Sequence, residues 1–303
     1  MVSVVIFGVG TGYVFITKAW VEHQARAQAQ QSLRAAVGDV SRELRITGAC
    51  MGITWVDQNA PLASNYKMLA GTSGPPDTFT RTANPQCAGP AKLTADCAQC
   101  TTISVDNILN FTAGTWGFIG YGSVSQAGEY FLIQSVDTGG GTITVSGTTP
   151  LLNTYLTTTD LNPTFVAGAD QRTFAVSSSC TGCNGVPTLT LQQLGDTTGQ
   201  PLVKGITSMT VQYVLNRAYN AGSCTSQTGG TNSLCIVQLP ETTPSVAGDW
   251  KLVRAVIVSL SAQSILPVRG NPSGFFQLSE SVEISPRNFI FSPNGSRILW
   301  TPY

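Results

Sequence analysis

Cysteine is the residue type in this chain best placed to do chemistry. Eight occur, at Cys50, Cys87, Cys97, Cys100, Cys180, Cys183, Cys224 and Cys235. Four of them stand as two short pairs, Cys97-Ala98-Gln99-Cys100 and Cys180-Thr181-Gly182-Cys183. That spacing serves a structural disulfide, a four-thiolate zinc site or a redox dithiol. A zinc site needs both pairs to converge, yet a long stretch of chain separates them and little Lys or Arg surrounds them. A redox dithiol needs a helix N-terminus to depress the thiol pKa. The segment Ser177-Ser178-Ser179-Cys180-Thr181-Gly182-Cys183-Asn184-Gly185 reads instead as a turn. The expectation is disulfides in an oxidising compartment, with zinc as the alternative. Eight cysteines allow 105 complete pairings. The pairings expected first are Cys224–Cys235, closing a Gly/Ser/Thr/Asn loop, and Cys180–Cys183 within its turn. Cys50, Cys87, Cys97 and Cys100 are the other disulfide candidates.

Other residues offer less. The one histidine, His23, falls on the charged side of a helical segment, a poor place for a Ser/His/Asp pocket. Glu280 and Glu283 read as a solvated strand face rather than a catalytic pair. Gly8-Val9-Gly10-Thr11-Gly12 follows an apolar run as in a dinucleotide fold, but Tyr13 stands where the last glycine belongs. Trp55, Trp116, Trp250 and Trp300 read as packing residues, and Trp20 beside Lys18 as an interface anchor. Lys+Arg and Asp+Glu are equal at 16 each, and only 11% of residues are charged, so the chain carries no electrostatic footprint for nucleic acid. The expectation is a protein that is not an enzyme, with no catalytic residue, cofactor or metal.

The elements that position these residues begin with the N-terminus. Residues 1–17 carry no charge, and seventeen residues is about the shortest run that spans a bilayer. No basic segment precedes this run and no small-x-small site follows it, so it does not read as a signal peptide. From Lys18 to Arg45 the apolar residues Val21, Ala25, Ala29, Leu33, Val37, Val40 and Leu44 recur at helical spacing. Glu22, Arg26, Gln30, Arg34, Asp39, Arg42 and Glu43 are assigned to the opposite faces. One helix over 1–48 is expected, about 70 Å long, stopped at Gly48. Its filament or membrane segment is 1–17 and its amphipathic part 18–48. Beyond it, a β-rich head occupies 49–303. Strands are expected over 101–105, 128–136, 142–145, 188–192, 206–215, 252–262 and 279–284, with a hairpin turn at Gly139-Gly140-Gly141. Residues 57–100 and 216–249 read as long loops holding most of the cysteines. The fold class expected is α+β: a long N-terminal α-helix packed on an antiparallel β-sheet, with disulfide-tied loops.

Several segments, in order, resemble the type IV pilin superfamily, and among its branches the PilW-type minor pilins and J-type pseudopilins. Met1-Val2-Ser3-Val4-Val5-Ile6-Phe7-Gly8 resembles the continuation of the pilin N-terminal segment. Asp39-Val40-Ser41-Arg42-Glu43-Leu44-Arg45-Ile46-Thr47-Gly48 is similar to the end of its helix. Pro201–Ile206 with Met209–Tyr213, then Val253–Leu260 and Pro286-Arg287-Asn288, resemble later strands. The resemblance implies a structural role without covalent chemistry. Val4, Val5, Ile6, Phe7, Val9, Tyr13, Val14, Phe15 and Ile16 would pack against helices of other subunits in a filament core. Val21, Leu33, Val37, Val40 and Leu44 would pack the helix onto its own head. It further implies a transmembrane helix in the bacterial inner membrane with a periplasmic head before assembly, then an extracellular pilus or periplasmic pseudopilus. A tip adhesin with a surface ligand, or a major subunit, is the alternative. The family's basic leader, cleavage site, N-methylated Phe and glutamate would fall before Met1.

Overall fold

The computed structural model describes residues 2–50, 69–72, 77–121, 128–157, 164–218, 225–226, 234–238, 253–268 and 274–286, with side chains of the helix described from Gly12 onward. Helix α1 runs Val2–Arg45. Seventeen strands follow among the described residues. A ten-stranded sheet has the central order β1 (Leu69–Thr72), β2 (Thr78–Ala83), β10 (Thr164–Ser177), β6 (Trp116–Tyr121), β7 (Glu129–Asp137), β8 (Thr142–Val145), β5 (Thr102–Ser104). To it are added β3 (Ala91–Lys92) and β11 (Thr188–Gln193) on β10, and β12 (Gln200–Lys204) on β11. A five-stranded sheet has the order β14 (Thr225–Ser226), β15 (Leu234–Gln238), β13 (Ile206–Ala218), β16 (Val253–Gln263), β17 (Gln277–Ile284). A small pair joins β4 (Cys97–Ala98) to β9 (Thr154–Tyr155).

This corrects the expected fold class. The chain is not an α+β protein in which one long helix lies along a sheet. Among the described residues it is mainly β, with one N-terminal helix and a sheet curled into a half-barrel. The curl has a local origin in β10. Its first half, Thr164–Ala169, pairs with β6, while its second half, Asp170–Phe174, pairs with β2. One strand thus hands the sheet from one set of neighbours to another. Packing then follows strand alternation rather than the helix. Phe131 and Ile133 of β7, Ile143 and Val145 of β8, and Ile103 of β5 point into a core that contains no helix residue.

The second core lies between the sheets. Val256, Val258, Leu260 and Ala262 alternate inward along β16 and meet Met209, Val211, Tyr213 and Leu215 of β13. Phe79 of β2 and Phe174 of β10 are registered partners and stack at 4.8 Å. The helix enters this core only through its second half, with Leu33, Ala36, Val40 and Leu44. The three-glycine turn joins β7 to β8 as a hairpin, and Gly141 takes φ 63° there, a value that favours glycine.

Candidate functional site

α1 divides into a bare part and a docked part. In the bare part Tyr13 is 69%, Val14 49%, Phe15 74% and Ile16 67% exposed, and Trp20 is 60% exposed. Successive helix residues turn by about 100°, so Tyr13 to Ile16 face every side of the axis. No single neighbouring face covers all four. Val4, Val5, Ile6, Phe7 and Val9 lie on the same helix, with side chains outside the described set. Among the described residues no helix is long and apolar enough to cross a membrane, which corrects the expected transmembrane helix. Gly8, Gly10 and Gly12, with Thr11 and Thr17, dilute the run before Lys18 ends it.

In the docked part, Ala25, Ala29, Leu33, Ala36, Val40 and Leu44 are buried. Val37 packs against the same core from its margin, and Val21 is half-buried. Gln28 accepts a hydrogen bond from the backbone of Ile265 at 3.2 Å, and the Arg26 guanidinium lies over the Phe276 ring at 5.0 Å. The spacing of small and branched residues explains the division. A stripe of Ala and Val lets the helix approach the strands closely, whereas the stretch before Val21 is apolar without being one-sided.

The docked end is fixed by an ion cluster that sequence reasoning missed. Glu43, assigned to the polar side of the helix, is in fact buried. Arg81 of β2 and Arg172 of β10 are directly opposed in register, an arrangement that repels when left alone. Glu43 reaches between them. Its Oε2 accepts from Arg81 Nε at 2.9 Å and from Arg81 Nη2, and its Oε1 accepts from Arg172 Nη1 at 3.0 Å. Asp170 completes the ring, its Oδ2 accepting from Arg81 Nη2 at 2.9 Å and its Oδ1 from Arg172 Nε at 3.3 Å. Two cations and two carboxylates close on each other, as a buried Arg81 requires. One signal was available: Glu43 follows Val40 by three residues and so shares the azimuth of the buried stripe.

Past Glu43 the helix ends at Arg45, and Gly48, φ 72°, turns the chain away just beyond it. Gly48 N–H donates to Thr82 at 2.9 Å, and Asn84 N–H donates to Ala49 at 2.8 Å. The two segments then join at a Cys50–Cys87 disulfide, Cα–Cα 4.9 Å. Two further disulfides, Cys97–Cys100 and Cys180–Cys183, close within their own turns. The sulfurs of both short pairs are therefore bonded to one another, which leaves no four-thiolate set there for zinc. The expected Cys224–Cys235 pairing involves Cys224, which lies outside the described residues.

The remaining candidates do not converge. His23 is exposed on α1. Glu280 and Glu283 are on opposite faces of β17, since an odd spacing reverses the side chain. Trp116 lies in β6, and Trp55, Trp250 and Trp300 are outside the described residues. Among the described residues no group of three or more His, Cys, Asp or Glu could hold a metal. Asp96 is a loop clasp: its carboxylate accepts from Thr157 N–H at 2.6 Å and Thr157 Oγ1 at 2.7 Å, which hold its pKa below the ordinary value. Burial pushes the Tyr130 and Tyr213 phenols up, the Asp77 charge adding to the effect at Tyr213.

The chain is thus a mainly β, disulfide-tied head with a helix fixed to it at one end and bare at the other. No family model, no curated protein and no solved structure matches it.

Proposed function

We propose that this chain is a structural, pilin-like subunit, of the minor kind, in a type IV pilus or a related secretion pseudopilus. The observation that supports this reading is the all-round exposure of Tyr13, Val14, Phe15 and Ile16 on a helix whose other end is fixed in the head. Apolar side chains facing every direction are best covered by several neighbouring helices, as in a filament core. The partners in this reading are other pilin subunits, joined through α1. Before assembly the bare segment rests against the inner membrane with the head in the periplasm. Afterwards it lies inside the filament, extracellular or periplasmic. No covalent chemistry is asked of the head, whose few charges allow subunits to sit close without strong repulsion.

The test is a photo-crosslinking amino acid at Phe15, introduced into the chain in its native cell. Adducts with other filament subunits, together with fewer filaments for Phe15→Arg, are the expected result. A chain that crosslinks to no subunit, in cells whose filament number is unaffected by Phe15→Arg, removes the proposal. Normal filament number with lost surface attachment shifts the reading to a tip adhesin.

A further inference from the structure

Apart from Glu43, the head itself supplies the makings of a carboxylate receptor. Arg81 and Arg172 stand opposite one another on β2 and β10, with one acid, Asp170, beside them. Two cations and one carboxylate leave a positive site, fully buried at Arg81. Glu43 supplies the missing negative charge. The stripe that packs the helix is less selective. Ala25, Ala29, Leu33, Ala36, Val40 and Leu44 recur every three or four residues, so a slide of one turn, about 5.4 Å, sets a small or branched apolar residue near each former place. Glu43 does not repeat in this way. One turn earlier stands Asp39, a methylene shorter, and one turn later Thr47, which has no charge.

The same contact sets the path of both chains beyond it. From Glu43 the chain leaves the end of the helix and reaches Cys50, and from Arg81 it leaves the end of β2 and reaches Cys87. On the way they exchange the Gly48–Thr82 and Asn84–Ala49 backbone bonds. In the folded chain the Glu43–Arg81 contact, these two backbone bonds and the Cys50–Cys87 pair follow one another along the same two segments. Cys97–Cys100 and Cys180–Cys183 need no such help, because their separation is 3 residues. Cys50–Cys87 spans 37 residues, competes with every other cysteine, and bears a larger closure entropy.

We propose that the Arg81–Arg172 pair is a register-reading site for Glu43, and that this contact selects the Cys50–Cys87 pairing during oxidative folding. The bond forms by thiol–disulfide exchange. Cys50 and Cys87 thiols give up two protons and two electrons to a disulfide oxidant, which leaves as two thiols. The inference does not depend on the filament reading.

The experiment is oxidative refolding of the full reduced chain in a glutathione redox buffer, quenched in time and mapped by mass spectrometry of unreduced peptides. In the natural chain Cys50–Cys87 is expected to dominate the pairing of Cys50. In Glu43→Gln its rate of formation should fall by roughly tenfold, the scale of one charge-assisted hydrogen bond, while the two short pairs form as before. Glu43→Asp should recover part of the rate. Equal Cys50–Cys87 formation in Glu43→Gln overturns the proposal. So does an equal loss of all three pairs, which would mark a general folding defect.

Discussion

Arg81 is buried as deeply as any aromatic residue in the core, and the reason is that each of its polar directions ends on an oxygen. Its Nη1 donates to the Asp170 carbonyl at 2.7 Å, and its other donors reach Glu43 and Asp170. Removing one member strands the others. Arg81→Ala leaves Glu43 with Arg172 and the more exposed Arg42, which lies 3.7 Å from Glu43 Oε1, and should lower stability by about 3–5 kcal/mol, read as a shift in the urea midpoint. Arg81→Met combined with Glu43→Leu removes both charges and should cost less than the sum of the single changes, since the cycle measures their coupling. The exposed clasp behaves differently. Thr157 holds the Asp96 pKa below its ordinary value, so its contribution is fully present above the ordinary carboxylate range. It is lost as pH falls through the lowered value. The Thr157 amide resonance should therefore keep its position through mild acid and move only below that range, and in Asp96→Asn this titration should vanish. The buried phenols act at the other extreme. Tyr130 and Tyr213 stay neutral when folded but ionise near pH 10 when unfolded, so stability should fall as pH rises beyond about 10.

Among the elements, α1 shows how unequally one helix is used. Leu44 is fully buried and Phe15 is mostly bare. Leu44→Ala should cost about 2–5 kcal/mol, whereas Phe15→Ser should change stability by no more than about 0.5 kcal/mol. Thermal unfolding of the two variants side by side checks this. The helix itself was readable from spacing, as were β5, β7, β8, β11, β13, β16 and β17, because each carries inward β-branched or aromatic residues in alternation. β10, the longest strand, was not readable. Its middle reads Ala167-Gly168-Ala169-Asp170-Gln171-Arg172. Asp170 and Arg172 occupy partly buried positions because the ion cluster neutralises them. Gly168 is present because a Cβ there would meet Asn84 Oδ1 at 2.6 Å. β6 was hidden for a similar reason: Gly117 leaves room for the Phe131 ring, which a Cβ would approach to 2.5 Å. Local pattern cannot report such a contact, since its partner lies elsewhere in the chain. That omission also explains the mistaken fold class. With β2, β6 and β10 unseen, the helix looked like half the architecture, whereas the curled sheet built around β10 dominates it.

For the whole molecule, the question is what keeps a bare helix and a charge-poor β head in one fixed relation. The apolar contact of α1 supplies adhesion without a unique register, and the ion cluster supplies register. The Cys50–Cys87 disulfide makes the relation permanent. Its stabilising effect should exceed that of the other two bonds for a reason of chain length alone. A cross-link limits the unfolded chain in proportion to the logarithm of the loop it closes. The Cys50–Cys87 loop spans 37 residues, and those of Cys97–Cys100 and Cys180–Cys183 span 3. The chain-entropy relation gives about 4 kcal/mol for the first and about 2 kcal/mol for each of the others. Cys50→Ser with Cys87→Ser should accordingly lower the urea midpoint by roughly twice as much as Cys180→Ser with Cys183→Ser. A further difference separates the two variants. Loss of Cys180–Cys183 affects only its turn, so amide exchange along α1 should stay as in the natural chain. Loss of Cys50–Cys87 releases the last turn of α1, and amides from Val40 to Ala49 should exchange faster while those of β13 and β16 remain protected. Equal midpoints for the two variants, with no change along α1, would mean that the ion cluster and the buried stripe hold the joint without the covalent bond.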